Sequence, residues 1–130
     1  MKYFTPSEAV QLINSGESVY IQGSTSIPEV LCKALADRGD ELRDVTIYAA
    51  FAVGRGEAPF CRPEYKDSFN IKSLFVANNI RKWLAAGYGS TIPAFLGEIP
   101  GLFRDGTLPL DAVFLNVSPP DADGYCSCYR

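Results

Sequence analysis

The chain has 130 residues, of which 47% are hydrophobic and 21% charged, a composition typical of a single globular domain. Its net charge is −3, and its Lys and Arg residues are scattered, which argues against nucleic acid as a partner. It contains no histidine, and this excludes Ser-His and Cys-His nucleophile arrangements and the usual zinc triads.

No segment of the sequence is long and apolar enough to predict a membrane span. The longest apolar run, Val45–Val53, is about half the length that a bilayer-spanning helix needs. The amino terminus, MKYFTPSEAV, lacks the apolar core of a secretion signal. We therefore expect a cytoplasmic protein without a membrane partner. Cys32 is expected to be a buried thiol on a helix.

The first quarter of the chain predicts a helix, a strand and a second helix. Thr5–Glu8 has the pattern of a capping box with Pro at the first helical position, and we expect this helix to end at Gly16. Val19–Ile21 predicts a strand that runs into the loop Gly23–Thr25. Ser26–Glu29 repeats the capping pattern and predicts a second helix to about residue 38.

Apolar runs of strand length alternate with these helical patterns along the chain. The predicted strands are Val19–Ile21, Val45–Phe51, Ile71–Val76 and Ala112–Val117. Strands that alternate with helices favour a parallel sheet covered on its faces. The predicted fold is therefore a single α/β domain over residues 1–130, with an open, mainly parallel sheet flanked by helices.

Two further helical patterns lie in the second half of the chain, after a segment that the sequence predicts to be mostly loop (residues 52–69). Asn78 or Asn79 is the predicted cap of a helix that ends before Gly87. Apolar residues recur with a helical period between Phe95 and Phe103, where Pro100 must break or restart the helix.

Three short motifs could carry chemistry, and each has a plainer alternative. At Gly23-Ser24, backbone N–H groups before a helix could bind an anion or a polarised carbonyl, or the glycine could serve only the backbone angles of a turn. Arg55, between Gly54 and Gly56, could meet a phosphate or carboxylate, although surface arginines are common. Cys126 and Cys128 lack partner ligands, so we expect them to bind no metal.

The loop after the last predicted strand is the most specific feature of the sequence. Pro119 and Pro120 fix its backbone, while Ser118 and Asp121 offer polar groups at the edge of the sheet. Gly124 then permits a turn back toward Tyr125. Asp111, Asp121 and Asp123 lie near the last predicted strand, but their pattern does not indicate a catalytic acid–base pair.

Three segments together carry a resemblance to a known family. They are VYIQGSTSIPEVLCKALADR, FLGEIPGLFRDGTLPLDAVFLNVSPPD and GYCS. In this order they resemble the N-terminal half of the acetyl-CoA hydrolase/transferase family, which includes 4-hydroxybutyrate CoA-transferases. The resemblance implies a CoA-transferase-like fold of two related α/β halves, of which this chain would hold the N-terminal one.

The resemblance also implies a chemistry and a set of site residues. The nucleophile of the family is a glutamate in the C-terminal half, so no catalytic residue and no permanently bound cofactor is expected here. The expected substrates are a coenzyme A thioester and a small carboxylate, and the expected partners are the absent C-terminal half and further copies of the chain. The residues expected to form a wall of the acyl-binding cleft are Gly23, Ser24, Ser118, Pro119, Pro120, Asp121, Gly124 and Tyr125.

Two classes of function remain open at this point. The chain is either part of an acyl-CoA:carboxylate CoA-transferase or acetyl-CoA hydrolase, or a non-catalytic relic or binding module for a small carboxylate or nucleotide. The sequence does not distinguish a transferase from a hydrolase.

Overall fold

A computed structural model describes residues 2–50 and 58–128 of the chain. In these ranges the strands are β1 (Ser18–Ile21), β2 (Val45–Ala49), β3 (Phe69–Ser73), β4 (Gly89–Thr91) and β5 (Ala112–Phe114). The α-helices are α1 (Pro6–Ala9), α2 (Glu29–Ala36), α3 (Asn78–Ala85) and α4 (Ile99–Arg104). Short 3₁₀ turns occupy Val10–Leu12, Ser24–Ser26 and Pro63–Tyr65.

The strands form one open sheet in the order β4-β3-β2-β1-β5, and each of its four pairings is parallel. This confirms the predicted α/β class and the mainly parallel sheet. The chain moves in one direction from β1 to β4 and then returns to the free side of β1, where Val19 lies opposite Ala112. The strand order therefore reverses at β1.

The main core lies on the face of the sheet that α1, α2 and α3 cover. Val19, Ile47 and Ile71 point from three neighbouring strands into this core, and each is fully buried. Leu35 of α2 and Ile80 of α3 close it from the helical side. This burial of apolar side chains is the main source of stability for the domain.

Cys32 lies in this core, as the sequence predicts. Burial raises the pKa of the Cys32 thiol to about 12, and the nearby charge of Glu29 contributes to that rise. Cys32 is therefore an inert packing residue at neutral pH.

The opposite face of the sheet has a thinner cover, which α4 provides. Phe103 of α4 packs edge-on against Tyr20 at 5.6 Å and against Tyr48 at 5.2 Å between ring centroids. Beyond this contact the cover ends, and Val113 and Leu115 remain 47% and 46% exposed on the β5 side of the sheet.

The predicted helix start at Thr5 is confirmed by the structure. The backbone N–H of Thr5 donates to Glu8 Oε2 at 2.8 Å, and the N–H of Glu8 donates to Thr5 Oγ1 at 3.3 Å, which completes the capping box. Pro100 lies in the first turn of α4, which begins at Ile99, so the predicted helical pattern from Phe95 is helical only from Ile99 onward. The α1 segment is shorter than predicted, because a 3₁₀ turn ends at Leu12 and Gly16 lies in the turn that precedes β1.

Two predicted helix caps are wrong. Ser26 belongs to a 3₁₀ turn, and α2 begins at Glu29 after Pro28 without a side-chain cap. The α3 helix begins at Asn78 with Ala77 at its cap position, again without a capping side chain. In both places the residue at the cap position, Pro28 or Ala77, has no side-chain acceptor for the first backbone N–H groups of the helix.

Two predicted strands have different bounds in the structure. The third strand is Phe69–Ser73 instead of Ile71–Val76, because Ser73 Oγ donates to the Phe75 carbonyl at 2.7 Å and turns the chain out of the sheet. The last strand ends at Phe114 instead of Val117. The second strand is confirmed over Val45–Ala49, and its predicted end at Phe51, like the Gly54–Gly56 motif, lies outside the described residues.

The β4 strand has no counterpart among the sequence predictions. Its sequence, Gly-Ser-Thr, has neither the apolar alternation nor the length that signals a strand. A Cβ atom on Gly89 would lie 2.7 Å from the Ile71 carbonyl oxygen of β3. The glycine therefore permits a close approach of two backbones that sequence periodicity does not reveal.

The β5 strand is fixed to β1 at its amino end by Asp111. The backbone N–H of Ser18 donates to Asp111 Oδ2 at 2.8 Å, and the N–H of Asp111 donates to the Ser18 carbonyl at 3.0 Å. Since Ser18 is buried, the carboxylate satisfies a donor that water cannot easily reach.

We expect Asp111→Ala to lower the free energy of unfolding by about 1–3 kcal/mol, because it leaves the buried Ser18 N–H without its acceptor. Asp111→Asn is the matched control, since its amide oxygen can still accept this bond. Urea denaturation measures both variants. An equal loss of stability in the two would show that the carboxylate charge, rather than the acceptor, matters.

Candidate functional site

The carboxyl ends of β1 and β5 lie side by side at the point where the strand order reverses. In open parallel sheets the loops diverge at such a point and leave a crevice that commonly binds a ligand. The loop after β1 contains Gly23 and Ser24, and the segment after β5 leads to Ser118. Both candidate motifs therefore follow strands that end at this position.

Gln22 joins the two loops across the reversal point. Its backbone N–H donates to the Phe114 carbonyl at 3.0 Å, and its side-chain Oε1 accepts from the Asn116 N–H at 2.7 Å. Because a backbone N–H can only donate, the oxygen of the Gln22 amide must face Asn116. This pair of bonds ties the start of the loop after β1 to the segment after β5.

A crevice of about 640 Å³ opens between the loop after β1, the start of α2 and the segment after β5. Its lining residues are Ser24, Thr25, Ile27, Pro28, Glu29, Val30, Leu31, Leu115 and Asn116. An apolar wall faces a few polar groups, which is the usual composition of a small-molecule site.

Ser24, not Gly23, has the unusual backbone conformation in this loop. Gly23 has φ −105° and ψ −166°, an extended conformation that any residue adopts. Ser24 has φ +62°, in the left-handed region that side chains other than Asn and Asp rarely occupy. The interpretation that Gly23 is needed for the turn angles is therefore wrong. Strained residues of this kind cluster at binding sites.

The closing loop is folded by its own polar side chains. The Asp121 carboxylate accepts from the N–H groups of Asp123 at 3.0 Å and Tyr125 at 2.9 Å. Ser118 Oγ accepts from the Ser127 N–H at 2.9 Å, and Gly124 turns the chain at φ +86°. The loop is thus held in one shape before any ligand arrives.

The structure places the sequence-predicted site residues unequally. Ser24 lines the crevice and Gly23 precedes it, whereas none of the residues from Ser118 to Tyr125 is among the lining residues. Their part in substrate binding stays a prediction. Sequence reasoning missed Leu115 and Asn116. The signal for Asn116 was present, because it is the polar residue in the otherwise apolar run from 112 to 117.

Cys126 and Cys128 are exposed thiols, and Cys128 pairs with Val117 in an antiparallel bridge. Over residues 2–50 and 58–128, the structure brings together no group of three or more His, Cys, Asp or Glu side chains that could hold a metal ion. That these cysteines bind no metal stays a prediction. In the same ranges, none of the helices has the length and apolarity required to cross a membrane.

A second crevice, of about 630 Å³, lies at the amino edge of the sheet. Its wall carries the charged residues Arg43, Asp44, Lys66 and Asp67. Arg43 is tied down there, since its Nη1 donates to the Leu42 carbonyl at 2.6 Å and the Gly39 carbonyl at 3.2 Å. Because loops at the carboxyl edge usually hold the ligand, the first crevice is the better candidate.

Comparison with known proteins agrees with this fold and with the sequence resemblance. The family described as acetyl-CoA hydrolase/transferase N-terminal domain matches residues 1–128. The chain belongs to this family. Within it, the domain described above is the N-terminal part, and the family's curated members similar to it are CoA transferases.

Two relatives show how much of such a protein this acetyl-CoA hydrolase/transferase domain represents. It is 33% identical over 122 residues to a succinyl-CoA:acetate/propanoyl-CoA:succinate CoA transferase of Fasciola hepatica, covering 92% of this chain and 25% of the relative. It is 31% identical over 126 residues to the 4-hydroxybutyrate coenzyme A transferase of Clostridium kluyveri, covering 97% of this chain and 29% of the relative. The chain thus spans between a quarter and a third of these relatives.

Solved structures show the same architecture. RipA from Yersinia pestis superposes with a TM-score of 0.83 at 27% identity, over 95% of this chain and 30% of that protein. A 4-hydroxybutyrate CoA-transferase from Porphyromonas gingivalis shares the fold with a TM-score of 0.69 at 23% identity, over 95% of this chain and 26% of that protein. The predicted CoA-transferase-like fold is therefore confirmed.

We expect Ser24→Gly to be at least as stable as the parent domain. Glycine relieves a left-handed strain of about 1–2 kcal/mol, against about 0.5–1 kcal/mol for its greater freedom in the unfolded chain. Asp44→Gly is the comparison, because Asp44 also has a positive φ, of +60°, but aspartate tolerates this region and should gain less from glycine. Thermal unfolding measures both, and a clear loss confined to Ser24→Gly would contradict the assignment of strain.

Proposed function

We propose that this domain forms one wall of the acyl-binding cleft of an acyl-CoA:carboxylate CoA-transferase. The observation that carries the proposal is the preformed crevice at the reversal of strand order, in a domain whose family members act on CoA thioesters. A hydrolase of the same family would use the same wall, with water in place of the carboxylate acceptor.

The composition of the crevice supports a thioester ligand. Ile27, Leu31 and Leu115 offer an apolar surface along which a short acyl chain or the pantetheine arm can lie. Asn116 and the hydroxyl of Ser24 stand in the same wall and can donate hydrogen bonds to a carbonyl or carboxylate oxygen. A ligand with an apolar body and one polar carbonyl matches this arrangement.

The carboxylates that the structure describes near helix starts have structural roles. Glu8 is held by the N–H and hydroxyl of Thr5, which lowers the pKa of its carboxyl group. Glu98 Oε2 accepts from the Phe95 N–H at 3.1 Å. Glu29 lines the crevice but is exposed at the surface, where a carboxylate is a weak nucleophile toward a thioester.

As the family resemblance implies, the proposal places the nucleophile in a part of the protein outside this chain. In the proposed reaction a glutamate of that part attacks the thioester carbonyl and releases CoA as a thiolate. The CoA thiolate then attacks the glutamyl carbonyl, and the acyl group leaves as a carboxylate. The resulting glutamyl-CoA thioester next reacts with the acceptor carboxylate. The wall described here orients the acyl group during both steps and keeps water from it.

An alternative is a binding module for a small carboxylate, without catalysis. The apolar and polar residues that line the crevice favour it, because a small carboxylate could contact both kinds of group there. The two possibilities differ in whether activity appears when the remaining part of a family member is added.

We expect the isolated chain to show no turnover with acetyl-CoA and a carboxylate acceptor. Borohydride trapping followed by mass spectrometry should find no glutamyl adduct on residues 1–130. Mixing with the remaining part of the C. kluyveri transferase should give activity and an adduct on that added part. Turnover by the chain alone, or an adduct on Glu29, would place the chemistry in this domain. Binding without activity in the mixture would favour the binding module.

In the active mixture we expect Gly23→Val to lower kcat/KM by about tenfold or more, equivalent to about 1.4 kcal/mol, because the new side chain alters the wall beside Ser24. Gly97→Val is the matched control, since nothing lies within 4 Å of a Cβ atom built on Gly97 in the loop before α4. Equal kinetics for the two variants would contradict the placement of the cleft.

A further inference from the structure

The crevice at the carboxyl edge of the sheet carries charge of one sign. Among the described residues that line it, Glu29 has the one acidic side chain, and none is a lysine or an arginine. The other polar side chains of this wall, on Ser24, Thr25 and Asn116, are neutral. A ligand in the crevice therefore meets a negative charge that no cation of the described wall offsets.

The start of α2 does not supply the missing positive character. A helix amino end carries a partial positive charge that favours an anion. At α2 the first residue is Glu29, so the protein's own carboxylate already occupies this position. Pro28 at the cap position has no N–H to donate, and the Glu29 N–H donates to the Ile27 carbonyl at 2.9 Å. The helix start is therefore poorly suited to the carboxylate of a ligand.

The rest of the wall suits an uncharged ligand. Ile27, Leu31 and Leu115 offer apolar surface to the crevice. A carboxylate placed against such a surface loses hydration, and without a cation it gains no pairing in return. A methyl or methylene group gains free energy from the same contact, because it leaves water.

The charge of the acyl group is a property that membership of the family leaves open. One relative is named for succinyl-CoA, whose acyl group ends in a carboxylate. Another is named for 4-hydroxybutyrate, whose acyl group would carry no charge. The residues of the crevice wall are therefore the observation that distinguishes the two kinds of acyl group for this chain.

We propose that the crevice takes short, uncharged acyl groups and that Glu29 disfavours acyl groups that end in a second carboxylate. Glu29 acts directly on the ligand, through charge repulsion. Because its side chain is exposed, the repulsion is moderate and decreases with salt. This inference rests on the proposed function, since it specifies the acyl group that the same crevice accepts.

Butyryl-CoA and succinyl-CoA are a matched pair of probes, because the succinyl group has a carboxylate where the butyryl group has its terminal methyl. The test titrates the isotope-labelled chain with each probe and follows the amide shifts of residues 22–31 and 114–118. We expect the Kd of succinyl-CoA to be about threefold to tenfold higher than that of butyryl-CoA at low salt. The ratio of the two Kd values should fall at about 0.5 M salt, which screens exposed charges.

Variants of Glu29 test whether its charge causes the difference. Glu29→Gln keeps the shape of the side chain and should lower the ratio of the Kd values by about threefold, and Glu29→Lys should make succinyl-CoA the tighter ligand. Glu64→Gln is the matched control, since Glu64 is exposed in the 3₁₀ turn Pro63–Tyr65, does not line the crevice and removes the same charge. It should leave the ratio unchanged. If the lysine variant unfolds, the glutamine variant decides the matter.

The outcomes separate this inference from the cleft assignment on which it rests. Equal Kd values for the two probes, a ratio that does not fall with salt, or a ratio that Glu29→Gln leaves unchanged or that Glu64→Gln lowers as much would overturn the role of Glu29. In each of these cases the shifts at residues 22–31 and 114–118 would still support the cleft. Absence of those shifts with butyryl-CoA would overturn the cleft assignment and this inference with it.

Discussion

The pairing of β5 with the free side of β1 is the constraint on which the rest of the domain depends. A strand of three residues has few ladder bonds of its own, yet it sets the reversal of strand order and hence the crevice. Asp111 holds its amino end through Ser18, and Gln22 holds its carboxyl end. The hydrogen bonds at its two ends stabilise this short strand in its pairing with β1. Loss of either contact would therefore make the candidate site less rigid.

The pairing of β5 with β1 also places the face of the sheet that α4 covers next to the candidate site. Tyr48 is fully buried under Phe103, and burial raises the pKa of its phenol, with the charge of Asp111 raising it further. The phenol therefore stays neutral at physiological pH beside the contact that anchors β5. On this side the cover decreases from Tyr48 through Tyr20 to Val113. This face of the sheet is therefore packed at its centre and more exposed toward β5.

Sequence patterns sufficed where one local signal fixed the conformation. The capping box at Thr5 and the apolar run from Val45 both recur in the structure as predicted, and the helix near Pro100 begins at Ile99. Signals failed where a distant contact decided the result. The β4 strand forms because Gly89 can approach Ile71, and no local pattern reports that approach.

The residues of the candidate site could likewise be predicted where the signal was local, but not where a distant contact places them. Ser24 was found because it follows a strand and precedes a helix, a local pattern. Asn116 and Leu115 reach the crevice only through the pairing of β5 with β1, two segments more than 90 residues apart in the chain. The loop from Ser118 carries a specific motif, and its serine and aspartate fold the loop itself.

The central claim is that the acyl group binds at the carboxyl edge between β1 and β5. The most direct measurement is a titration of the isotope-labelled chain with acetyl-CoA, followed by amide NMR shifts. We expect weak binding with shifts concentrated in residues 22–31 and 114–118. Shifts concentrated instead around Arg43, Lys66 and Tyr88 would place the ligand in the crevice at the amino edge and contradict the claim.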